Sequence, residues 1–201
     1  MKGLFAVFAA SVLSMSGCAH GDKPDPTAVQ PAANEARPQS TADAEALAEF
    51  NQRVTAYAEL HKKLEATLPS MPKETSPEII DKHQRALEQL MKGARNDAKP
   101  GDLITPATQK VFRQLLARVF RGQEGRELKG TILDENPGNI GLTVNDRYPD
   151  QIPLSTVPPQ VLSALPKLPE ELEYRFIGDR LILLDKHAHT IADYMDKVFP
   201  V

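Results

Sequence analysis

The sequence predicts an α+β domain, with N-terminal helices (an antiparallel helix hairpin plus two further helices) packed on a small C-terminal antiparallel sheet. Three observations predict it. Apolar residues recur at helical spacing over residues 47–68 and again over 80–94. Two β-rich runs flank Gly178-Asp179 near the C-terminus. The long helical patterns come first and the strand patterns follow, instead of alternating as in a parallel α/β sheet.

The first helix is expected from Thr41, as N-cap, to about Leu68, stopping before Pro69. Its stripe is Leu47, Phe50, Val54, Tyr57, Leu64 and Leu68, in steps of three and four with one vacancy, which His61 fills. Ser76-Pro77-Glu78 opens a second helix with a cap, a Pro at the first helical position and an acid near the positive end. That helix runs to about Arg95 and carries Ile80, His83, Leu87, Leu90 or Met91, and Ala94 on one face. The short connection makes the two helices antiparallel neighbours, which brings His61 and His83 to similar heights. Thr105-Pro106 starts a third helix ending near Gly122; the wide face of Val111, Phe112, Leu115, Leu116, Val119 and Phe120 makes it central to the core. A fourth, shorter helix covers residues 124–135.

Residues 140–144 and 151–154 read as two short strands around Asn145-Asp146, the second on an edge because Pro153 lacks a ladder donor. Pro158-Pro159 opens a short helix over 160–165. The Gly178-Asp179 turn then fixes a hairpin register: Ile177 with Arg180, Phe176 with Leu181, Tyr174 with Leu183. Leu172, Tyr174, Phe176, Leu181 and Leu183 share the expected core face. Ile182 and Leu184 lie on the other face beside Glu173, Arg175 and Arg180, so that face is expected to be half covered, by a helix. Residues 190–195 make a third strand.

The N-terminus addresses the chain to a compartment. Met1-Lys2-Gly3 is a short positive head, and residues 4–13 are almost wholly apolar, too few to span a bilayer. Ser16-Gly17-Cys18 resembles the end of a bacterial lipobox, with Met15 where that pattern prefers Leu. The resemblance implies a signal peptide over 1–17 and lipidation at Cys18, the only cysteine; the alternative is ordinary cleavage near Ala19 and a soluble secreted product. Residues 18–40, with Pro24, Pro26, Pro31 and Pro38 and no apolar periodicity, are expected to form a disordered tether. Some twenty such residues hold a domain on average about 25 Å from its anchor. The single folded domain is expected over 41–199, helical over 41–135 and strand-rich over 140–195. Loss of residues 1–17, with one Lys and no acid, leaves 184 of 201 residues near a net charge of −4. Neither that charge nor the absence of Trp suits a nucleic-acid partner.

Several runs carry a resemblance across residues 47–194. They are Asp134-Glu135-Asn136-Pro137-Gly138, Val144-Asn145-Asp146-Arg147-Tyr148-Pro149-Asp150, Pro153-Leu154-Ser155-Thr156-Val157-Pro158-Pro159 and Leu168-Pro169-Glu170-Glu171-Leu172-Glu173-Tyr174-Arg175-Phe176-Ile177-Gly178. This pattern resembles an uncharacterised family of exported bacterial proteins, a likeness that implies export and no particular activity. The final hairpin is similar, in a generic way, to the terminal hairpin of small periplasmic proteins, some linked to metal homeostasis.

Two histidine sets are candidate ligands. In Asp185-Lys186-His187-Ala188-His189 the alternate residues Asp185, His187 and His189 point one way if the chain stays extended, and imidazole with carboxylate suits Zn²⁺. The spelling is similar to the opening metal motif of amidohydrolases, whose barrel this order of elements does not provide. His61 and His83, facing across the helix hairpin, are candidates for a metal or haem iron. For each set the plainer account is structural: a solvated connection between strands for the first, partly buried hydrogen-bonded side chains for the second. Lys110, Arg113, Arg118, Arg121, Arg126 and Lys129 read as a solvated basic face.

No His-Glu-x-x-His, Gly-x-Ser-x-Gly, phosphate-binding Gly loop or thiol nucleophile is present in the folded part. The sequence therefore assigns no catalytic, cofactor or metal residue. The leading expectation is a non-enzymatic, lipid-anchored cell-envelope protein, with a tethered domain for binding an envelope partner or supporting envelope structure. The alternative is a periplasmic metal- or haem-binding module using His187 and His189 or His61 and His83. A hydrolase with a site assembled from dispersed residues is the third.

Overall fold

A computed structural model describes residues 40–72, 75–135, 140–153 and 156–200 of the chain. The expected signal, Cys18 and the expected tether up to residue 39 lie outside the described residues, as do Leu154 and Ser155. Five helices are described: α1 (Thr41–Glu65), α2 (Pro77–Ala94), α3 (Pro106–Val119), α4 (Gly122–Glu135) and α5 (Pro159–Ala164). Three strands follow, β1 (Leu172–Ile177), β2 (Arg180–Asp185) and β3 (Thr190–Met195), in one antiparallel sheet of order β1-β2-β3. The class is α+β, with the helices mostly N-terminal.

Ser40, not Thr41, caps α1: its hydroxyl accepts the Asp43 N–H at 3.1 Å. The helix ends at Glu65, earlier than the periodicity predicts, because Thr67 and Leu68 turn their N–H groups back to Leu64 and Glu65 ahead of Pro69. Its buried line is Leu47, Phe50, Val54, Tyr57 and His61, with Leu64 and Leu68 packed at the core's margin. In α2 the buried line is only Leu87 and Met91; Ile80 and Ala94, expected on the core face, are exposed. Helix α3 is central as expected. Phe112 is fully buried and meets Phe50 edge-on at 5.0 Å and Tyr174 at 6.3 Å between ring centres, so α1, α3 and β1 share one aromatic contact line. Gly122, at φ +78°, breaks the chain into α4, which starts two residues before the expected Glu124. A Cβ on Gly125 would fall 2.3 Å from the Phe120 carbonyl carbon, so only glycine fits that approach.

The hairpin has the expected register, Ile177 with Arg180, Phe176 with Leu181 and Tyr174 with Leu183, around Gly178 at φ +56°. Leu172, Tyr174, Phe176, Leu181 and Leu183 belong to the main core under the helices. Between β2 and β3 the pairing slips at Ala192: Leu183 faces Asp193 and Leu184 faces Ile191. Arg95 donates to the carbonyl of this extra residue.

The two strands expected over 140–144 and 151–154 do not form among the described residues. Asn145, at φ +69°, bends the chain there, so the segment follows the β3 edge irregularly. Asn145 N–H donates to the Ile191 carbonyl, Ile191 N–H to Asp146, and Tyr148 N–H to His189, with one isolated bridge between Arg147 and Thr190. This segment, and not a helix, covers the second face of the sheet. Tyr148 and Ile152, with Ile140 and Leu142 beside them, close over Ile177, Ile182, Leu184 and Ile191.

Asp193 projects from β3 toward the helices. Its carboxylate accepts the N–H groups of Gly101, Leu103 and Ile104 at 2.7–2.9 Å, which fixes the loop ahead of α3. Asp193→Ala strands those donors and is expected to lower unfolding free energy by about 2–4 kcal/mol in urea titration. Ile80→Ala, on the exposed side of α2, is expected to change it by less than about 0.5 kcal/mol.

Candidate metal centre

The site lies where the C-terminal half of α1 meets the end of β2. Parity explains the meeting. Leu181 and Leu183 face the helices, and Asp185 is next on that face. His61 continues the α1 stripe one turn beyond Tyr57. Both are fully buried, and His61 Nδ1 lies 2.6 Å from Asp185 Oδ2. The Tyr57 hydroxyl donates to the same oxygen at 2.8 Å. The other oxygen, Oδ1, accepts the N–H groups of His187 and Ala188 at 3.0 and 2.8 Å, which folds residues 186–189 into a turn.

With Nδ1–H donating to Asp185, His61 presents Nε2 to the surface side. Three donor atoms converge there. His61 Nε2 is 3.2 Å from Glu65 Oε2 and 3.3 Å from His187 Nδ1, and His187 Nδ1 is 3.2 Å from Glu65 Oε2. Ligands bound tetrahedrally at about 2.0–2.1 Å from Zn²⁺ stand about 3.3–3.4 Å apart, so the triangle already matches one face of a zinc coordination tetrahedron. The charges also match: Asp185 and Glu65 together balance a divalent ion when both imidazoles are neutral. The same separations suit hydrogen bonds, so a proton on an imidazole holds the cluster together when no ion is bound.

The titration of the cluster follows from these contacts. Burial alone would lower the His61 pKa; the hydrogen bond and charge of Asp185, with those of Glu65, outweigh it and raise the pKa above the usual value. Burial would raise Glu65, but its contacts with His187, His83 and His61 leave it lowered. Burial, with the Asp185 charge and hydrogen bond, pushes Tyr57 well above its ordinary value, so it stays a hydroxyl donor.

His83 Nε2 lies 3.3 Å from the other Glu65 oxygen, Oε1, and outside the cluster of donors lying within 4.8 Å of one another, which is His61, Glu65 and His187. It therefore orients the carboxylate as Asp185 orients His61. His61 and His83 do not form an axial pair, because Glu65 stands between them, with one oxygen against His61 Nε2 and the other against His83 Nε2.

His189 departs from the expected set. The strand ends at Asp185, the turn breaks the alternation, and His189 takes φ +54° with its ring edge-on to Tyr148 at 5.7 Å. The structure thus takes one histidine from each predicted pair, His61 and His187, and joins them to Asp185. Glu65 escaped the sequence reading; its signal was the i,i+4 spacing from His61, which puts both side chains on one helix face. Cys18 lies outside the described residues.

No known protein family, curated protein or solved structure matches the chain. Among the described residues no helix is long and apolar enough to cross a membrane.

His189 provides a pH test of this arrangement. Burial and the nearby Arg147 charge lower its pKa. A histidine depressed in the folded state gives stability that is complete above its unfolded pKa of about 6.5 and is lost as pH falls through the folded value. His61 has the opposite sign, since its contribution is complete below about pH 6.5 and is lost as pH rises through its raised value. His189→Asn, which suits the positive φ, is expected to lose less stability than wild type on acidification below about pH 6.5 in pH-resolved urea melts. An identical acid slope in both proteins would show that His189 is not held neutral.

Proposed function

We propose that this chain is an exported, lipid-anchored envelope protein whose folded domain binds a divalent late transition ion, Zn²⁺ first, through His61, Glu65 and His187. One observation carries the metal reading. Three donor atoms from α1 and the β2–β3 turn stand 3.2–3.3 Å apart, and the far nitrogen of His61 rests on a buried carboxylate. Two imidazoles and a carboxylate without thiolate favour Zn²⁺, Ni²⁺ or Cu²⁺ over Cu⁺. A haem has no support from this geometry, since His83 is turned to Glu65 Oε1 and lies outside the cluster that holds His61. Export and anchoring rest on the signal and Cys18, and the tether would let the domain sample space about 25 Å from the bilayer.

Calorimetric titration of the metal-free processed chain with ZnCl₂ is expected to give one site. Zn²⁺ at a hundredfold its Kd is expected to add about 2.7 kcal/mol to the unfolding free energy. His187→Ala removes a half-exposed ligand at small cost to the fold and is expected to abolish both effects, while His189→Ala keeps them. Equal and negligible heats for wild type and His187→Ala would refute the metal reading and leave a purely structural cluster.

Anchoring has its own readout. Intact mass of the chain recovered from its membrane fraction is expected to carry a diacylglyceryl-type addition, with Cys18→Ala unmodified and released. An unmodified wild-type chain starting near Ala19 would contradict it.

A further inference from the structure

The three protein donors leave one corner of a tetrahedron unfilled. In zinc proteins a closed set of four protein ligands serves structure, while three ligands leave a position for water or substrate. His83 does not fill that corner; it hydrogen-bonds Glu65 Oε1 from outside the donor cluster. Of the three donors, Glu65 alone also lines a groove, of about 400 Å³, together with His83, Lys62 and residues 68–71. Beyond His83 the groove continues into an apolar cavity of about 320 Å³ walled by Pro69, Met71, Ile79 and Ala86, with Lys82 at its side. Met71 and Ile79 are 46% and 44% exposed, a large apolar surface to leave in water.

These features describe one kind of ligand. A bound divalent ion with Lys82 at the groove's side calls for an anionic head (Lys62 is paired with Glu171), and the wall of Met71, Ile79 and Pro69 calls for an apolar body behind it. We infer that the open coordination position, entered through this groove, accepts a carboxylate carrying a short apolar tail. The inference rests on the proposed metal binding and names the ligand of that same site. Such a carboxylate displaces bound water, with no covalent bond made or broken in the organic group. The same chemistry is offered by a free small carboxylic acid and by the C-terminal carboxylate of a polypeptide ending in an apolar residue.

The test loads the processed chain with Co²⁺, whose visible ligand-field bands report coordination directly. Hexanoate and acetate are then titrated separately. Both are expected to shift the bands, hexanoate with at least tenfold higher affinity. Ile79→Ser is expected to bring hexanoate close to acetate while acetate binding stays as in wild type, a split that a general structural defect would not give. A short peptide ending in Leu, compared with its C-terminal amide, distinguishes the sources. Tighter binding of the free-acid peptide than of hexanoate assigns a polypeptide terminus, and the reverse assigns a small molecule. Co²⁺ bands that neither acid moves, but that His83→Ala alters, would show that His83 closes the site; this overturns the inference and leaves metal binding intact. Absence of any protein-bound Co²⁺ spectrum would overturn both.

Discussion

A buried carboxylate with four hydrogen bonds holds this domain's working parts in place. Asp185 is fully buried, and an ionised carboxyl in such a position is costly unless its oxygens are satisfied. Here Tyr57, His61 and two turn N–H groups satisfy both oxygens. The bonds to Tyr57 and His61 dock the helical layer on the end of β2. The bonds to His187 and Ala188 shape the turn that carries a donor outward. Without Asp185 the same residues would be present but their nitrogens would not share a focus. Its counterpart Asp193, one strand away and also facing the helices, fixes the loop before α3 and has no connection to the donor cluster.

Much of this frame is legible in the sequence because it follows from local periodicity. The α1 stripe leaves a gap that His61 fills, and the parity of Leu181 and Leu183 carries on to Asp185. A core-facing imidazole on a helix and a core-facing carboxylate on a strand are strong candidates to meet, since neither is buried cheaply alone. Other features depend on long-range geometry that periodicity does not encode. Which histidines pair is one of them: alternation through residues 185–189 holds only if the strand continues, and the hydrogen bonds to Asp185 end it. Glu65 is another, a helix-surface acid like many in the sequence until the turn brings His187 over it. The cover on the second sheet face was misread for a related reason. Residues 140–152 have a strand-like composition, but the bend at Asn145 makes them an irregular strap.

The choice of donors fits the route proposed for the chain. Its one cysteine, Cys18, precedes the folded part, which therefore has no thiol to oxidise or to form disulfides. Imidazole and carboxylate remain available as ligands in an oxidising compartment. Both α1 donors have an outer partner, Asp185 behind His61 and His83 behind Glu65, whereas His187 is held through its backbone and remains half-exposed. Two fixed donors and one reachable donor suit an ion that is acquired and surrendered, and less so one locked in as a folding staple.

X-ray absorption of the chain loaded with one equivalent of Zn²⁺ tests the central claim, a preassembled two-histidine, one-carboxylate centre, most directly. The expected spectrum has a first shell of four nitrogen and oxygen atoms at about 2.0–2.1 Å, outer-shell scattering from two imidazoles and no sulfur. On His187→Ala the outer-shell signal is expected to fall to that of a single imidazole. A six-coordinate shell without imidazole scattering would place the ion elsewhere on the surface and contradict the claim.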